Sequence, residues 1–413
     1  MHWFTYKNDR LHVEDIPLDT VAERYWTPTF VYSRTTLERH ISTIDGAFDG
    51  IDHLTCYSVK ANSNGTILKL LAENGLGADI VSGGELFRAL RAGIPGDKIV
   101  YSGVGKTEAE IGYALDSGIL MFNVESETEL YTIDRIARGK GVKAPISFRV
   151  NPDVDPKTHP YISTGLKKNK FGIPHEEARR LYRTAADLSN IEIIGIDAHI
   201  GSQLTEFSPY EEATKRLTGL ITDIRAEGIE LKYIDIGGGL GINYEEEYPP
   251  DPTDWAAKVV PAIEGMGLTL IIEPGRSIVG NSGILLSRVI TTKTNGDKTF
   301  VVVDAAMNDL ARPSLYDSFH GILPIIRGKS NMRTVDIVGP ICESSDFIAK
   351  DREIEMPEEG DLITIMSAGA YGMAMSSNYN SRLRAAEVMV SGADMRVVRA
   401  RETYGDLVAN EPE

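Results

Sequence analysis

From about residue 34 to 275 the chain alternates short apolar runs with segments of helical spacing, and this alternation limits the fold more than any other feature. The runs are "HLTCYSV", "GADIVS", "KIVYS", "GILMFNV", "PISFRV", "IIGIDAHI", "KYIDI" and "LTLIIE". Strands that are apolar along both faces suit a parallel sheet covered on each side by helices. After "GADIVS", for instance, Leu86, Phe87 and Leu90 fall on one face of a helix. Eight such alternations in about 240 residues predict an α/β fold of the (β/α)8 TIM type in preference to an open doubly wound sheet.

After residue 275 the texture changes. "GILLSRVITTKT", "KTFVVVDAA", "RTVDIVG", "DLITIM", "AAEVMV" and "MRVVRA" are strand-like runs with few helical spacers, and "TNGDK" supplies an Asn-Gly hairpin turn. These predict a mainly β C-terminal domain, a sandwich or barrel. The first 33 residues also read as strands, with a hairpin in "FTYKNDRLHV" and a strand in "TFVYS". A sheet that short does not fold alone, so it is expected to join the C-terminal strands. The predicted domains are a barrel over 34–275 and a β domain built from 1–33 and 276–413.

Composition narrows the class of partner. The 413 residues include 60 acidic and 43 basic side chains, a net charge of -17. A field of that sign disfavours nucleic acid and anionic membrane surfaces, though a local basic pocket can still hold an anion. Cys56 and Cys342 are the only cysteines, so no disulfide framework is expected and a reducing compartment fits. The N-terminus lacks a signal peptide's apolar core, and no stretch approaches the length of a membrane span. The expectation is a cytoplasmic protein acting on a small molecule.

In a barrel of this kind the active site sits where the strands end. The residues there are Lys60, Ser82, Arg149 with Asn151, His199, Gly237 to Gly239, and Glu273. Strands running out into solvent account for Ser82 and Arg149. They account poorly for a lysine, a histidine, three glycines and a glutamate on one rim. Lys60 in "CYSVKANSN" is either a solvated strand end or a desolvated amine, freed to form a Schiff base with an aldehyde. In "YIDIGGGLGI" the glycines let the backbone approach a ligand and point N–H groups at an anion; a tight strand–helix turn explains them equally well. Ile242 stands where a dinucleotide fingerprint needs its last glycine, and no G-K-[ST] follows, so a smaller phosphate fits better. "IIEPGRSIVG" sets Glu273, Gly275 and Arg276 around a Pro-Gly turn, either as a surface ion pair or as partners for a ring nitrogen and an anion. His199 in "DAHIGSQL" is a satisfied core histidine or a ligand contact. Histidine-rich metal spacing is absent, so no metal is expected. A lysine that traps aldehydes, a phosphate cradle and a carboxylate for a ring nitrogen together describe a pyridoxal 5'-phosphate site.

Longer motifs then appear in order: "YSVKANSN", "HPYISTGLKKNKFGI", "HIGSQ", "DIGGGLGI", "EPGRSIV", "ARPSLYDSFH", "CESSDF" and "GAYGMAMSSNYNSR". On these the chain resembles the alanine-racemase-like class of pyridoxal phosphate enzymes (the group IV decarboxylases) and, within it, the diaminopimelate decarboxylase family. Leu383 departs from the family pattern, which usually continues Ser-Arg-Pro. The resemblance implies a (β/α)8 barrel with a β domain, working as a homodimer with shared active sites. It implies that Lys60 holds the cofactor, that His199 stacks on the pyridine ring, and that Gly237, Gly238, Gly239 and the Glu273–Gly275–Arg276 turn contact phosphate and ring. Tyr371 matches a phosphate ligand that also borders the substrate. Arg276, Arg312 and Tyr316 match contacts to substrate carboxylates. Cys342 matches the proton donor and Glu343 the reader of the distal amine, both supplied by the partner subunit. The implied reaction is decarboxylation of meso-2,6-diaminopimelate at its D-configured end to L-lysine and CO₂, the last step of lysine biosynthesis.

The chemistry is consistent with these roles. An anion beside the ring nitrogen favours its protonated form, and a thiol can give up a proton near neutral pH. Cys342 read plainly is a small buried residue, but Cys, Glu and Asp together in "CESSD" speak against an apolar setting. A substrate whose far end is an amino acid needs both signs of charge, which Arg312 and Glu343 offer. Four alternatives stay open at this point: a decarboxylase of another basic amino acid, a racemase with a second base, a cofactor carrier without turnover, and a cofactor-free lysine aldolase. "GLKKNKFGI" at 165–173 is read either as a basic lid or as a solvated loop.

Overall fold

The computed structural model describes residues 2–154, 170–245, 247–328 and 331–412. The chain divides into two compact units: Ile41–Ile242 with Tyr248–Ser277, and Met1–His40 with Asn243–Glu247 and Ile278–Glu413.

The first unit is a closed ring of eight parallel strands: β1 (His53–Ser58), β2 (Gly77–Ile80), β3 (Ile99–Tyr101), β4 (Met121–Val124), β5 (Ala144–Asn151), β6 (Ile191–Asp197), β7 (Tyr233–Asp235) and β8 (Thr269–Ile272). Neighbours in sequence are neighbours in the ring, and β8 returns to β1 with Leu270 opposite His53 and Ile272 opposite Thr55. Closure leaves no unpaired edge. The eight predicted runs are these strands. Cys56, Val100, Met121, Ile194 and Ile271 are buried together, which is why the runs read as continuously apolar.

Three successive helices share one start signal. In α1 (Gly83–Ala92), α2 (Glu108–Asp116) and α3 (Glu127–Lys140) the N-caps are Ser82, Thr107 and Ser126, each accepting the N–H of a glutamate three residues on. Thr107 and Glu110 close a full capping box, while Glu85 and Glu129 reach one residue further back, to the N–H groups of Val81 and Glu125. Gly93 and Gly141 end α1 and α3 in the left-handed conformation. One expectation needs correcting. α1 buries Leu86 and Ala89, whereas Phe87 is 55% exposed. At 100° per residue the stripe runs through 86, 89 and 90, and Phe87 falls off its edge.

The second unit is mainly β. Its large sheet runs Phe347–Glu355, Met332–Val338, Lys298–Val303, Gly283–Asn295, Thr29–Ser33, Ala386–Ser391 and Asp394–Arg399. Leu362–Ile365 pairs with Gly283–Asn295 and with Ile322–Pro324. "TFVYS" does join the C-terminal strands: Thr29–Ser33 lies antiparallel to Gly283–Asn295 and parallel to Ala386–Ser391. The hairpin residues Phe4, Leu11 and Val13 share a core with Val31, Ile284, Leu286, Val388 and Val390. The expected hairpin at "TNGDK" is present, with Asn295 opposite Lys298 and Gly296 at φ 61 opening the loop. Several elements escaped the sequence reading, two of them for a clear reason. Leu18–Tyr25 is a helix, too short to show a clear period, and the strand Phe347–Glu355 hides behind the charged run Lys350 to Glu353. Among the described residues no helix is long and apolar enough to cross a membrane. Residues 165–169 of the "GLKKNKFGI" segment lie outside the described residues.

Candidate active site

Lys60 follows β1 in a single 3-10 turn, Val59–Ala61. Its Nζ donates to Asp79 Oδ2 at 2.8 Å, and its side chain is 37% exposed. Asp79 is fully buried near the end of β2, and the Ser58 hydroxyl lies 2.7 Å from the same Asp79 oxygen and 3.2 Å from the Glu273 carbonyl. The amine is therefore half-exposed and paired with a buried carboxylate, which falls between the two sequence readings of a solvated strand end and a desolvated amine.

Asp197 closes β6, Asp235 closes β7 and Glu273 follows β8; an oxygen from each lies within 4.8 Å of the other two. All three are buried. Burial, and then repulsion among these carboxylates and Asp79, pushes Asp235 up to about 7 and holds Asp197 and Glu273 well above the usual carboxylate range. Asp79 Oδ1, Asp197 Oδ1, Asp235 Oδ2 and Glu273 Oε1 have no hydrogen-bond partner among the described residues. Buried carboxylate oxygens in that state call for a proton donor or a positive charge beside them. Arg149 supplies one such charge. It is buried and paired with Glu125 at 3.0 Å, and its guanidinium lies 4.9 Å from the Phe171 ring centroid, so the solvent-facing explanation of Arg149 fails.

The three glycines form the turn after β7. A Cβ on Gly238 would stand 2.0 Å from the Glu273 carbonyl, and one on Gly239 would stand 2.3 Å from the Gly201 carbonyl. Two of the three amides already have protein acceptors: Gly237 N–H donates to Asp235 Oδ1 at 2.8 Å, and Gly238 N–H to His199 Nδ1, after β6, at 3.2 Å. The expected anion cradle therefore narrows to Gly239. Because Nδ1 accepts, His199 carries any ring proton on Nε2. Burial first, then the charges of Arg149 and Lys60, lower the His199 pKa well below its ordinary value and keep the ring neutral. Gly275 packs between Ser58 and Ala61, and Arg276, buried, donates from Nη2 to Ser202 Oγ at 3.1 Å. Lys60, His199, Gly237 to Gly239, Glu273, Gly275 and Arg276 thus all follow β1, β6, β7 or β8 in the barrel unit.

The remaining predicted residues belong to the β unit. Arg312 opens the helix Arg312–Tyr316, with Tyr316 as its last residue. The arginine is buried against a ring and two polar partners: its Nη1 lies 2.9 Å from His320 Nε2, its Nη2 is 3.3 Å from Ser318 Oγ, and its guanidinium sits 4.5 Å from the Tyr244 ring centroid. His320 Nδ1 is 2.7 Å from the Met366 carbonyl, so it donates there and Nε2 accepts from Arg312. Tyr371 takes φ 57 between Ala370 and Gly372, an uncommon conformation for a bulky residue. Cys342 and Glu343 are exposed, with Tyr379 Oη 3.4 Å from Glu343 Oε2.

The sequence reading missed Asp79, Asp197 and Asp235. Each sits inside an apolar run, in "GADI", "GIDA" and "YIDI", and an acid embedded among apolar residues was the available signal. The barrel residues fit an aldehyde-bearing phosphorylated pyridine: an amine, carboxylate oxygens awaiting a charged N–H, and a turn too tight for any Cβ. The same three carboxylates would also accept a cation, so donor geometry alone does not choose.

Comparison with known proteins chooses. The family profile described as "Pyridoxal-dependent decarboxylase, pyridoxal binding domain" matches residues 34–280. The diaminopimelate decarboxylase of Vibrio cholerae is 51% identical over 413 residues, 100% of this chain and 99% of its own. The crystal structure of diaminopimelate decarboxylase from Helicobacter pylori, complexed with L-lysine, superposes with a TM-score of 0.92 at 45% identity, covering 95% of this chain and 99% of that one. The crystal structure of diaminopimelate decarboxylase from M. jannaschii, also with L-lysine, gives a TM-score of 0.94 at 38% identity over 99% and 98% of the two chains.

Proposed function

The chain belongs to the diaminopimelate decarboxylase family of pyridoxal-dependent enzymes, and on that premise we propose that it removes CO₂ from the D-configured end of meso-2,6-diaminopimelate to leave L-lysine, the last step of lysine biosynthesis. The observation that carries the reading is the barrel mouth, where the Lys60 amine donates to buried Asp79 beside a Glu273 carboxylate with an unsatisfied oxygen.

Bound there, pyridoxal 5'-phosphate supplies an aldehyde that takes up amines and a ring that accepts the electron pair left when a carboxylate departs as CO₂. Lys60 would be the amine that holds the cofactor, and Asp79, 2.8 Å from its Nζ, would stabilise its ammonium form whenever the amine is free. Glu273, whose Oε1 has no hydrogen-bond partner among the described residues, would hold a proton on the ring nitrogen, the form in which the ring would accept electrons. Asp197 and Asp235 each place an oxygen within 4.8 Å of a Glu273 oxygen, and repulsion from them adds to burial in raising the affinity of Glu273 for a proton. Neutral His199 offers a flat, uncharged face for the ring. Gly239, Gly275 and Arg276 serve the phosphate, with Tyr371 as a further ligand. Arg276, Arg312 and Tyr316 bind substrate carboxylates, and Glu343 binds the distal ammonium. Cys342 delivers the proton to the carbon that has lost its carboxylate.

Cys342 and Glu343 are exposed on their own chain. They are proposed to complete the site of a second copy, so that the working form is a homodimer. The test is a purified protein with added cofactor and a panel of amino acids. CO₂ and L-lysine should appear from meso-diaminopimelate and not from lysine or ornithine. Release of CO₂ from ornithine alone would make it a different decarboxylase, and loss of optical rotation without CO₂ would make it a racemase.

A further inference from the structure

The loop that carries Cys342 is gripped from two sides. On one side Asp346 is the anchor: its Oδ2 accepts the Ile341 N–H at 2.7 Å and its Oδ1 accepts the Met307 N–H at 2.8 Å. The Ser314 hydroxyl adds a bond to the Ser345 carbonyl at 2.6 Å, tying the loop to the Arg312–Tyr316 helix. On the other side lies the turn 378–384. Asn380 Oδ1 accepts the Cys342 N–H at 2.8 Å, and Tyr379 Oη lies 3.4 Å from Glu343 Oε2.

That turn is itself built to hold a fixed shape. Its ends are joined through Glu402, whose Oε2 accepts the Arg384 N–H at 2.8 Å and Asn378 Nδ2 at 2.6 Å. Arg384 Nη1 donates to Asn378 Oδ1 at 2.6 Å and to Glu402 Oε1 at 2.9 Å. At the tip, Asn380 (φ 56, ψ 26) and Ser381 (φ 55) are both left-handed. Asparagine tolerates that conformation better than other residues with a side chain. Its amide also supplies the acceptor for Cys342. The position thus asks for two properties at once, and Asn has both.

We infer that Asn380 is a positioning residue for Cys342, fixing through the backbone N–H where the thiol is presented. The inference rests on Cys342 being the proton donor, and it adds a residue outside the motif roles already assigned. Cys56 is buried, so iodoacetamide alkylation of the native holoenzyme without substrate, located by peptide mapping, reads Cys342 as it stands in the assembled site.

Two variants separate the acceptor from the backbone. Asn380→Gly keeps the left-handed turn without strain and removes the acceptor. Asn380→Asp keeps an acceptor and adds a charge near the thiol. The glycine variant should lose about tenfold in kcat with KM within about twofold, as expected when a group acting after binding is misplaced. The aspartate variant should keep kcat within about threefold, and the midpoint of its alkylation-versus-pH curve should rise by about half a pH unit or more, because a nearby anion opposes thiolate formation. Wild-type kcat in Asn380→Gly, equal loss of kcat in both variants, or an unmoved alkylation midpoint in Asn380→Asp would each overturn the inference. Full activity in Cys342→Ala would instead remove the proton-donor reading, while the alkylation shift would still report that Asn380 faces Cys342.

Discussion

A lysine whose amine meets a buried aspartate is held in place before any ligand arrives. Replacing Lys60 with Ala should abolish turnover and abolish retention of the cofactor through borohydride reduction and denaturation; a chain that still retained it would exclude Lys60 as the attachment point. The acidic cluster gives a second test. Asp235 has an unfolded-state value of 3.8 and a folded value of about 7, raised first by burial. A raised folded value means stability that is present below the unfolded pKa and lost as pH rises through the folded one. Stability of the cofactor-free wild type should therefore fall between pH 4 and 7 relative to Asp235→Asn, by an order of magnitude of 4 kcal/mol at ~1.4 kcal/mol per pH unit. Urea midpoints for both proteins across that range check the sign. Lys60 and Glu273 were legible because motifs flag them. Asp79, Asp197 and Asp235 carried only the faint signal of an acid inside an apolar run, and nothing in the sequence pairs Arg149 with Glu125, because packing decides whether a charge near a strand end meets water or a neighbouring strand.

At the scale of elements, the glycine turn shows how a short stretch is fixed by what surrounds it. Gly238→Ala would bring a methyl against the Glu273 carbonyl at a distance real side chains do not occupy. The expected result is destabilisation of about 1–3 kcal/mol and weaker cofactor binding, read by thermal unfolding and by cofactor titration. The Arg312–Tyr316 helix makes the opposite point. Its arginine is buried between His320, Ser318 and the Tyr244 ring, an arrangement that restricts the guanidinium before substrate binds. Arg312→Ala should raise KM for diaminopimelate by about 10- to 100-fold, the scale of a charge-assisted hydrogen bond, with a smaller change in kcat. Unchanged steady-state kinetics would remove the distal-carboxylate role. The sequence pointed to Arg312 through the motif "ARPSLYDSFH", yet nothing in it marks His320, the motif's last residue, as a partner, and Tyr244 reaches the arginine from a distant segment.

At the scale of the whole molecule, the chain returns to complete each unit from distant segments. Thr29–Ser33 pairs with strands more than 250 residues away, so removing the N-terminal segment would expose the middle of the large sheet rather than trim its edge. The proposed shared active site makes a quantitative prediction at this scale. Lys60→Ala and Cys342→Ala proteins, each impaired alone, should regain about a quarter of wild-type activity when unfolded and refolded together, because half the dimers are mixed and each mixed dimer has one intact site. No recovery would place Cys342 in the same chain's site or outside any site.

What the sequence determined by itself was the order and type of the elements in the barrel, and the residues that follow its strands. Apolar runs of strand length recur with helical spacing between them, and this local pattern admits few closed arrangements. What only the tertiary structure decided was which charges meet: that the lysine pairs with Asp79, that three carboxylates from separate strands converge, that two glycine amides turn inward, and that Asn380 holds the cysteine loop. Those outcomes depend on distances of a few ångströms between residues far apart in the chain, and electrostatic and hydrogen-bonding energies change steeply over such distances.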